Sequence, residues 1–490
     1  MCVMSKNHPS VTKELFLSAL TCPTQAWFLQ NFPGRAPTPG EQMRMMEGQD
    51  VHERARNVFP NGIFTGNAES TTTILADPSK LTIFEAAFGT DGYAARADIL
   101  QRHNGGFKVI EIKSSLHDDA KVDKDHIDDL AYTTMVLRRT GLPIIKAELL
   151  LLSRDFRLGM DNKALFISSD HTVAVLKRAD EFLLQWDAVR DAILGAERPE
   201  PTLILECKKC QFFQSDCLGQ GIEDSILELP RLSQKRFATL QADGIQTIDI
   251  IPDGYDLTSN QVRVVKAVKS GQHFIDRTQL RHLLKMVRFP ACYLDFETLK
   301  TALPLWTDVA PHEQVVTQYS LHVCSSPGVV TRHVEYLAEP SRDCRRELVE
   351  KLIEDLDGEG SIIVYSSFEK TMLRGLATRF PDLAPGLDAC INRLFDLEKV
   401  FKVAYYHPDF HGSTSIKSTL PVLVPELGYE GLTIHDGEMA MAAYARMARG
   451  ECSNEELLAI KKSLLEYCAV DTMAMVRLHE ALVRLPNVGT

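Results

Sequence analysis

The stretch AARADILQRHNGGFKVIEIKSS, residues 94–115, predicts a β-hairpin that carries acidic side chains on one face. Asn104-Gly105 is a strong hairpin turn signal, and apolar residues alternate with polar ones on both sides of it. If these two residues form the loop, Asp98 lies directly opposite Glu111, with Cβ atoms roughly 5 Å apart. Two carboxylates in that position repel each other, which is unusual in a structural strand pair unless a cation lies between them.

Lys113 belongs to the same face of this hairpin. A turn moved to positions 105–106 would change the partner of Asp98. Because side chains alternate with a period of two, Asp98, Glu111 and Lys113 would still share one face. A lysine there can orient a water molecule and stabilise the charge that develops on a phosphate during hydrolysis. The hairpin is therefore a candidate divalent-cation site, and the ordinary alternative is a solvated strand face.

Composition limits the class of protein. A chain of 490 residues with 44% hydrophobic and 24% charged residues is expected to be globular, with about three domains. Its net charge of −12 disfavours a surface coated for non-specific nucleic-acid binding, although a local basic groove remains compatible with it. The stretch MCVMSKNHPSVTKELF lacks the pattern of a signal peptide, and no apolar run approaches the ~20 residues of a membrane span. A cytoplasmic protein without membrane contact is expected.

Periodicity predicts an α/β chain throughout. Residues 10–58 have a helical pattern that the loop FPGRAPTPGE divides into two predicted helices, residues 70–115 have strand patterns, and residues 125–137 are helical again. Two short helical patterns surround Gly244 and Pro252, and a second alternation of strands and helices follows them. The expected domains are 1–225, a helical connector at 226–284, and 285–490.

Three cysteines lie close together in ECKKCQFFQSDC, residues 206–217. In a reducing cytosol, closely spaced cysteines more often bind metal than form disulfides. Cys207, Cys210 and Cys217 would supply three thiolates, so a tetrahedral site needs a fourth ligand from elsewhere in the chain. Seven other cysteines are interpreted as ordinary core or surface residues: Cys2, Cys292, Cys324, Cys344, Cys390, Cys452 and Cys468.

A histidine precedes the hairpin on a predicted helix. In EGQDVHERA, His52 follows Gly48 by four residues. The order of G-x3-H, then Asp98, then E-I-K, flanked by distant cysteines, resembles the iron–sulfur branch of RecB-type PD-(D/E)XK nucleases, which includes the CRISPR adaptation nucleases. The resemblance implies that His52, Asp98 and Glu111 hold Mg²⁺ or Mn²⁺ and that Lys113 is the catalytic lysine.

The same resemblance extends to the helix after E-I-K and to the cysteines. Nucleases of this branch usually carry a glutamine in that helix, but LAYTTMVL has Thr133 in its place, and Tyr132 is expected near the site. Cys22, in LTCPTQAWF, matches the cysteine found near the N-terminus. The resemblance implies a [4Fe–4S] cluster with a structural role, and zinc is the alternative. The implied ligands are Cys22, Cys207, Cys210 and Cys217.

A second set of acids lies in the C-terminal half. In ACYLDFET, Asp295 and Glu297 are two residues apart on a predicted strand and therefore share a face. In SIIVYSSFEKTMLRGL, Glu369 lies near the start of a predicted helix. In LLEYCAVDTMAMVRL, Tyr467 and Asp471 are spaced i, i+4 on one helical face.

This second set resembles the tyrosine-type DEDD exonucleases of the ribonuclease H fold. The resemblance implies that Asp295, Glu297, Glu369 and Asp471 bind two divalent ions and that Tyr467 orients the attacking water. Aspartate is usual where this chain has Glu369, and Asp396 in RLFDLEKVF is a further, weaker candidate. The text YLDFETLKTALPLW, VVTQYSLHV and GSTSIKSTLPVL resembles an uncharacterised bacterial family that joins a RecB-type nuclease to a ribonuclease H-like exonuclease domain.

The expected fold is thus α/β: a PD-(D/E)XK restriction-endonuclease-like domain and a ribonuclease H-like domain. The connector between them resembles helix-hairpin-helix elements or is a plain linker bundle. The expected function is metal-dependent hydrolysis of phosphodiester bonds, of DNA ends or single strands, in repair, recombination or defence. The alternatives are a nucleic-acid-binding or assembly protein with one or both sites inactive, for which Thr133 and Glu369 are arguments, and a redox-sensing iron–sulfur scaffold.

Overall fold

The structure is a computed structural model that describes residues 10–32 and 34–485. Cys2 lies outside the described residues. The chain divides into two compact units, called here the first unit and the second unit. The first unit extends to residue 203 and also includes 210–218 and 301–313; the second comprises 204–209, 219–300 and the chain from 314 onward. The boundary runs through the cysteine stretch at 206–217. The contiguous domains at 1–225, 226–284 and 285–490 remain a prediction.

The first unit is built on a six-stranded mixed sheet in the order β1-β2-β3-β4-β5-β6. Its strands are β1 (Ile63–Phe64), β2 (Thr82–Thr90), β3 (Tyr93–His103), β4 (Gly106–Leu116), β5 (Ile144–Leu152) and β6 (Phe166–Asp170). Strands β2, β3 and β4 are antiparallel, whereas β1 pairs parallel with β2 and β5 pairs parallel with β4. Ile99 pairs with Ile110 and His103 pairs with Gly106, which confirms the predicted loop and register of the hairpin.

Eight helices are described in the first unit. They are α1 (Lys13–Thr21), α2 (Pro23–Asn31), α3 (Pro39–Asn57), α4 (Ala68–Leu75), α5 (Lys124–Arg139), α6 (Thr172–Leu183), α7 (Trp186–Leu194) and α8 (Phe213–Asp216). The helical region at 10–58 contains three helices rather than the two expected, because Cys22 ends α1 and caps the start of α2. Strands were expected from residue 70, but residues 68–75 form α4, where the side chain of Asn67 accepts from the backbone N–H of Ser70.

The core of the first unit lies where α1, α5 and α6 pack against the sheet. Phe16, Tyr93, Tyr132 and Phe182 are fully buried there. The ring of Phe16 packs against the rings of the other three, with centroids 5.0 to 6.1 Å apart. This aromatic cluster fixes α1 and α5 on the sheet that carries the acidic hairpin.

The connector predicted at 226–284 lies within the second unit. Its elements are α9 (Gln234–Ala242), α10 (Ser259–Ser270), β7 (Phe274–Ile275) and α11 (Arg277–Leu284). The two expected helical patterns correspond to α9 and α10, which residues 243–258 separate. Thr258 and Gln261 form a reciprocal capping box at the start of α10, and Gly271 ends this helix in the left-handed conformation.

A five-stranded mixed sheet in the order β10-β9-β8-β11-β12 follows. Its strands are β8 (Ala291–Leu299), β9 (Val315–Ser326), β10 (Val329–Leu337), β11 (Ile362–Val364) and β12 (Leu394–Asp396), and β13 (Tyr405–Tyr406) pairs with β7. Strands β8, β9 and β10 are antiparallel, and β8, β11 and β12 are parallel. The remaining helices are α12 (Arg345–Asp355), α13 (Phe368–Arg379), α14 (Ala384–Ile391), α15 (Glu398–Val403), α16 (Ile416–Leu423), α17 (Gly437–Ala448) and α18 (Asn454–Arg484).

The long helix α18 is fixed to the second sheet by polar as well as apolar contacts. Gln318 on β9 donates from Nε2 to the backbone carbonyl of Leu464, at 2.8 Å. The hydroxyls of Ser320 and Thr472 are 2.9 Å apart and buried. These contacts hold one face of α18 against β9. The mixed α/β class predicted from the sequence is confirmed. Among the described helices, none is long and apolar enough to cross a membrane.

Candidate metal centres

The acidic hairpin forms the floor of the first candidate centre. The β3–β4 ladder runs to the Ile99–Ile110 pair, and just beyond it Oδ2 of Asp98 accepts from the backbone N–H of Ile112, at 2.8 Å. Glu111 lies next to Asp98 on β4, and its side chain is buried. The structure therefore brings together the two carboxylates that the hairpin register predicted.

Two further candidate ligands complete a group that we call the first cluster: His52, Glu85, Asp98 and Glu111. His52 on α3 places Nδ1 3.5 Å from Oε1 of Glu85 and Nε2 3.9 Å from Oδ2 of Asp98. These three residues can offer ligand atoms that all lie within 4.8 Å of one another. Glu85, on β2, has a left-handed backbone with φ of 53° and was missed by sequence reasoning. The segment TIFEAAF does not alternate apolar and polar residues, so its sequence does not indicate that Glu85 faces the site.

Charges around the first cluster keep part of it ionised. Burial and the charge of Glu111 raise the pKa of Asp98. Burial also opposes ionisation of Glu111, but the ammonium groups of Lys13 and Lys113 outweigh this effect and lower its pKa. For His52, burial favours the neutral ring, whereas the hydrogen bond with Glu85 and the surrounding carboxylates prevail and raise its pKa. The cluster is thus a carboxylate site that cationic side chains already compensate.

Lys113 and the helix behind it only partly follow the expected pattern. Lys113 Nζ is 3.1 Å from Oε1 of Glu111 and also donates to Oδ2 of Asp129 on α5. Thr133, which replaces the expected glutamine, is buried and donates to the backbone carbonyl of Asp129. The expectation that Tyr132 lies near the site is wrong, because its hydroxyl donates into the core to the carbonyl of Val11, at 2.7 Å. Asp129 was missed, although its position four residues before Thr133 places both on one helical face.

The donor set of the first cluster fits a divalent cation. Oε1 of Glu111 binds both Lys13 and Lys113. Its other oxygen, Oε2, is buried and has no hydrogen-bond partner within residues 10–32 and 34–485. An unpartnered buried carboxylate oxygen is costly, and a cation would satisfy it. Carboxylate oxygens and one imidazole are ligands that Mn²⁺ accepts, and the oxygens also suit Mg²⁺.

The cysteines are distributed over both units. Cys22, Cys210 and Cys217 belong to the first unit, and Cys207 belongs to the second. Burial raises the pKa of Cys210, and the thiols of Cys22 and Cys217 raise it further, so these three lie in one neighbourhood. Cys22 Sγ accepts from the backbone N–H of Gln25, at 3.4 Å. All four are free thiols, a donor set suited to an iron–sulfur cluster or zinc.

The second candidate centre lies on the second sheet. We call it the second cluster: Asp295, Glu297, Glu369 and Asp471. Asp295 and Glu297 lie on one face of β8, and Asp471 projects from α18, so that the three offer carboxylate oxygens within 4.8 Å of one another. Glu369 is in the first turn of α13 and is buried. Among the residues that the structure describes, its Oε2 has no hydrogen-bond partner, and this donor set also fits divalent cations.

Desolvation and mutual repulsion dominate the second cluster. Burial raises the pKa of Asp295 well above its usual value, and the charges of Asp471, Glu297 and Glu369 add to the effect. For the same leading reason the pKa of Glu297 and that of Glu369 each rise to about 8. The pKa of Asp471 rises to about 6, since hydrogen bonds from two tyrosines partly offset burial.

These two tyrosines face Asp471 from different elements. Tyr467, which sequence reasoning selected, is one turn before Asp471 on α18. Tyr429, in the loop after α16, donates its hydroxyl to Oδ1 of Asp471. The rings of Tyr429 and Tyr467 have centroids 6.0 Å apart. Tyr429 was missed because 42 residues separate it from Asp471 and nothing in its local sequence marks it.

Two other residues border the second cluster. Cys468 was interpreted as an ordinary cysteine, but its Sγ is 3.6 Å from Oδ2 of Asp295. Asp396, the weaker candidate, accepts at Oδ1 from the backbone N–H of Ser366, at 3.1 Å, and its charge contributes to the raised pKa of Glu369. Asp396 is thus a neighbour of the cluster that the main chain already binds.

A cavity of about 780 Å³ adjoins the second cluster through Tyr429. Lys417 lies in its wall with Nζ 5.7 Å from the centroid of the Tyr429 ring, and its charge also acts on Glu297 and Asp471. The lining residues are Lys417, Leu420, Pro421, Pro425, Glu426, Leu427, Gly428, Tyr429, Glu430, Gly431, Leu432 and His435. The cavity therefore combines apolar walls with a cation and an aromatic ring next to a carboxylate cluster.

Comparisons with known proteins identify a domain without assigning it an activity. Residues 292–415 match a family described as Domain of unknown function (DUF2779). The chain is 23% identical over 231 residues to the Uncharacterized protein MG366 of Mycoplasma genitalium. This match covers 43% of this chain and 35% of that protein. It is also 29% identical over 207 residues to the Uncharacterized protein MG366 homolog of Mycoplasma pneumoniae, in a match that covers 38% of this chain and 31% of that protein. The chain thus spans about a third of the length of these curated relatives.

One solved structure, described as "Crystal structure of SSO0001", is also similar to the chain. The two share 14% sequence identity, with a TM-score of 0.22. The match covers 43% of this chain and 86% of that chain.

Proposed function

We propose that this protein is a metal-dependent nuclease that hydrolyses phosphodiester bonds. The observation that carries the proposal is the second cluster, in which Asp295, Glu297 and Asp471 offer three carboxylate oxygens within 4.8 Å of one another. Such a group stays ionised at neutral pH only if cations compensate it, because burial and repulsion favour the protonated acids. All-oxygen ligand sets of this kind favour Mg²⁺ or Mn²⁺.

The roles of the second-cluster residues follow from their positions. Asp295, Glu297, Glu369 and Asp471 would hold the cations, and the unpartnered Oε2 of Glu369 leaves this longer side chain available as a ligand. Bound divalent ions stabilise the charge on the attacking and leaving oxygens of a phosphodiester. The hydroxyl of Tyr467, next to Asp471, is suited to orient the attacking water. The order of an antiparallel three-strand meander continued by two parallel strands supports a ribonuclease H-like fold.

The first cluster supports a second nuclease site of the PD-(D/E)XK type. His52, Asp98 and Glu111 would hold Mg²⁺ or Mn²⁺, and we add Glu85 to this ligand set. Lys113 is fixed between Glu111 and Asp129, which keeps its ammonium group at the edge of the ligand set. From there it can orient water or stabilise negative charge on the phosphate.

Nucleic acid, and DNA ends or single strands in particular, is the proposed substrate. The cavity beside Tyr429 supports this choice, since an unpaired base can stack on an aromatic ring while a lysine attracts its phosphate. Double strands offer neither an exposed base face nor a free end except at their termini. Processing of DNA in repair, recombination or defence is the proposed context.

We further propose that Cys22, Cys207, Cys210 and Cys217 hold a [4Fe–4S] cluster with a structural role. The shared neighbourhood of three of these thiols supports the proposal. Replacement of Cys22 by Ala should abolish iron binding in anaerobically purified protein, with Cys452→Ala as the control at a cysteine outside this set. A Cys22→Ala protein that keeps its full iron content would contradict the ligand assignment, and wild-type protein that contains zinc instead of iron would contradict the cluster.

Cleavage of end-labelled single- and double-stranded DNA and RNA with Mg²⁺ or Mn²⁺ tests the nuclease proposal. Asp295→Asn and Lys113→Met should each remove the activity of one site by at least about 100-fold, and the double variant should be inactive. Glu466→Gln, an exposed residue next to Tyr467 on α18, is the control and should match wild type. Wild-type protein that binds these substrates without cleaving them would instead indicate a nucleic-acid-binding or assembly protein.

A further inference from the structure

Helix α1 brings a lysine to the first cluster that the family resemblance did not supply. Lys13, the first residue of α1, donates from Nζ to Oε1 of Glu111, which is 98 residues away in the sequence. The side chain of Glu111 is only 3% exposed, whereas that of Lys13 is 33% exposed. Lys13 thus reaches a buried carboxylate from the side that faces solvent.

The backbone fixes the position of Lys13. The N–H of Val11 donates to the carbonyl of Gly92, at 2.8 Å, and the N–H of Ala94 donates to the carbonyl of Val11, at 3.0 Å. The side chain of Thr12 caps α1 by accepting from the N–H of Leu15. Since the residues before Lys13 are bound to β3 and the helix starts at Lys13, its Cα is held beside the hairpin.

The two lysines that share Oε1 of Glu111 differ in their other partners. Lys113 also donates to Asp129, so it keeps a carboxylate partner if Glu111 turns away. Lys13 forms its ion pair with Glu111 and is the more exposed of the two. A divalent cation bound to Asp98 and Glu111 would repel both ammonium groups, and Lys13 is the one that this repulsion would release.

We propose that Lys13 is a phosphate-binding lysine of the first cluster that exchanges partners when the cation binds. Without a cation it neutralises Glu111; with a cation bound, it contacts a backbone phosphate of the nucleic acid, from the exposed side of the site. The inference rests on the proposed nuclease function and deepens it. Lys13 would also position the substrate in place of the expected glutamine. Thr133, which occupies the position of that glutamine, has a shorter side chain and donates to the backbone carbonyl of Asp129.

Cation affinity measured without nucleic acid tests the exchange directly. All variants of the full chain carry Asp295→Asn and Glu297→Gln, so that calorimetric titration with Mn²⁺ reports on the first cluster. Lys13→Met should bind Mn²⁺ at least about 3-fold more tightly than Lys13 protein, because a competitor for Glu111 is gone. Lys146→Met, which removes an ion pair with Glu148 on the same sheet, is the control and should leave the affinity unchanged. Lys13→Gln, which keeps a hydrogen-bond donor without the charge, replaces Lys13→Met if the latter fails to fold.

Binding of single-stranded DNA with Ca²⁺ in place of Mn²⁺ tests the phosphate contact. Lys13→Met should weaken DNA binding about 10-fold. The plot of log affinity against log salt concentration should become less steep, by the amount expected for the loss of roughly one phosphate contact. Lys13→Arg should keep most of the wild-type affinity. An Mn²⁺ affinity that is unchanged or weaker in Lys13→Met would overturn the exchange, and an unchanged DNA affinity would overturn the phosphate contact. Neither measurement needs cleavage, so a wild-type protein that cleaves nothing would refute the proposed function while the Mn²⁺ titration still decides the role of Lys13.

Discussion

The two carboxylate clusters differ in what neutralises them. In the first cluster, Lys13 and Lys113 bind Glu111, and Arg96 lies 2.9 Å from Glu85. In the second cluster, the hydroxyls of two tyrosines bind Asp471 and the charge of Lys417 acts from the cavity wall. The first cluster can therefore fold with Glu85 and Glu111 ionised, whereas in the second cluster burial and repulsion favour protonated Asp295, Glu297 and Glu369. The two clusters have similar carboxylate donors but different neutralising groups. We therefore expect the removal of one acid to change the stability of the two units in opposite directions.

The largest effect expected from this contrast concerns stability in the absence of cations. Glu111→Gln should lower the free energy of unfolding of the first unit, whereas Glu297→Gln should raise that of the second. Glu111→Gln leaves Lys13 and Lys113 without their shared partner and should destabilise the first unit by about 2–4 kcal/mol. Glu297→Gln removes repulsion and desolvation of a charge, so it should stabilise the second unit by about 1–3 kcal/mol at pH 8.

Thermal unfolding in EDTA can separate the two units. All three tryptophans, Trp27, Trp186 and Trp306, belong to the first unit, so their fluorescence reports its unfolding, while calorimetry reports both transitions. Glu466→Gln should change neither transition by more than about 0.5 kcal/mol. If Glu297→Gln destabilised the second unit as much as Glu111→Gln destabilises the first, the contrast between the clusters would be lost.

The next effect is a pH dependence that should be larger in the second unit, because Asp98 is the one carboxyl of the first cluster whose pKa is raised, whereas those of Glu85 and Glu111 are lowered. The acids of the second cluster have pKa values raised to about 8 for Glu297 and Glu369 and about 6 for Asp471, all above those of an unfolded chain. Between these values and the ordinary range near 4, the folded state holds protons that the unfolded state has released. Stability is therefore fully present below about pH 4 for these groups and is lost as the pH rises toward 8.

Divalent cations should greatly reduce this loss of stability. Calorimetry at pH 6 and pH 8.5 should show the second transition falling by several degrees in EDTA, and by much less in Mn²⁺, because bound cations favour the ionised acids. Asp295→Asn should weaken the response to Mn²⁺ at pH 8.5. A second transition that falls equally with and without Mn²⁺ would contradict the assignment of these acids as cation ligands.

How far the sequence predicted each cluster depends on how local its determinants are. The hairpin register followed from Asn104-Gly105 and strand alternation, both of which act within a few residues, and the structure confirms it. Lys13 and Tyr429 reach their clusters from 98 and 42 residues away, and only the packing of α1 and of the loop after α16 places them. Glu85 depends on a left-handed backbone that its neighbours in sequence do not indicate.

The smallest effect expected concerns Tyr429. Removing its hydroxyl in Tyr429→Phe takes one hydrogen bond from Asp471, which should cost about 1–2 kcal/mol of stability in the second unit. Because Asp471 would be less well positioned as a ligand, cleavage by the second cluster should fall about 10-fold, measured in a Lys113→Met background that silences the first. Tyr444→Phe, which loses a buried hydrogen bond to the carbonyl of Ala338 in the same unit, should cost similar stability without the loss of cleavage. Tyr429→Phe protein that cleaves as fast as Tyr444→Phe protein would show that Tyr429 serves the fold of the second unit and not the position of Asp471 as a ligand.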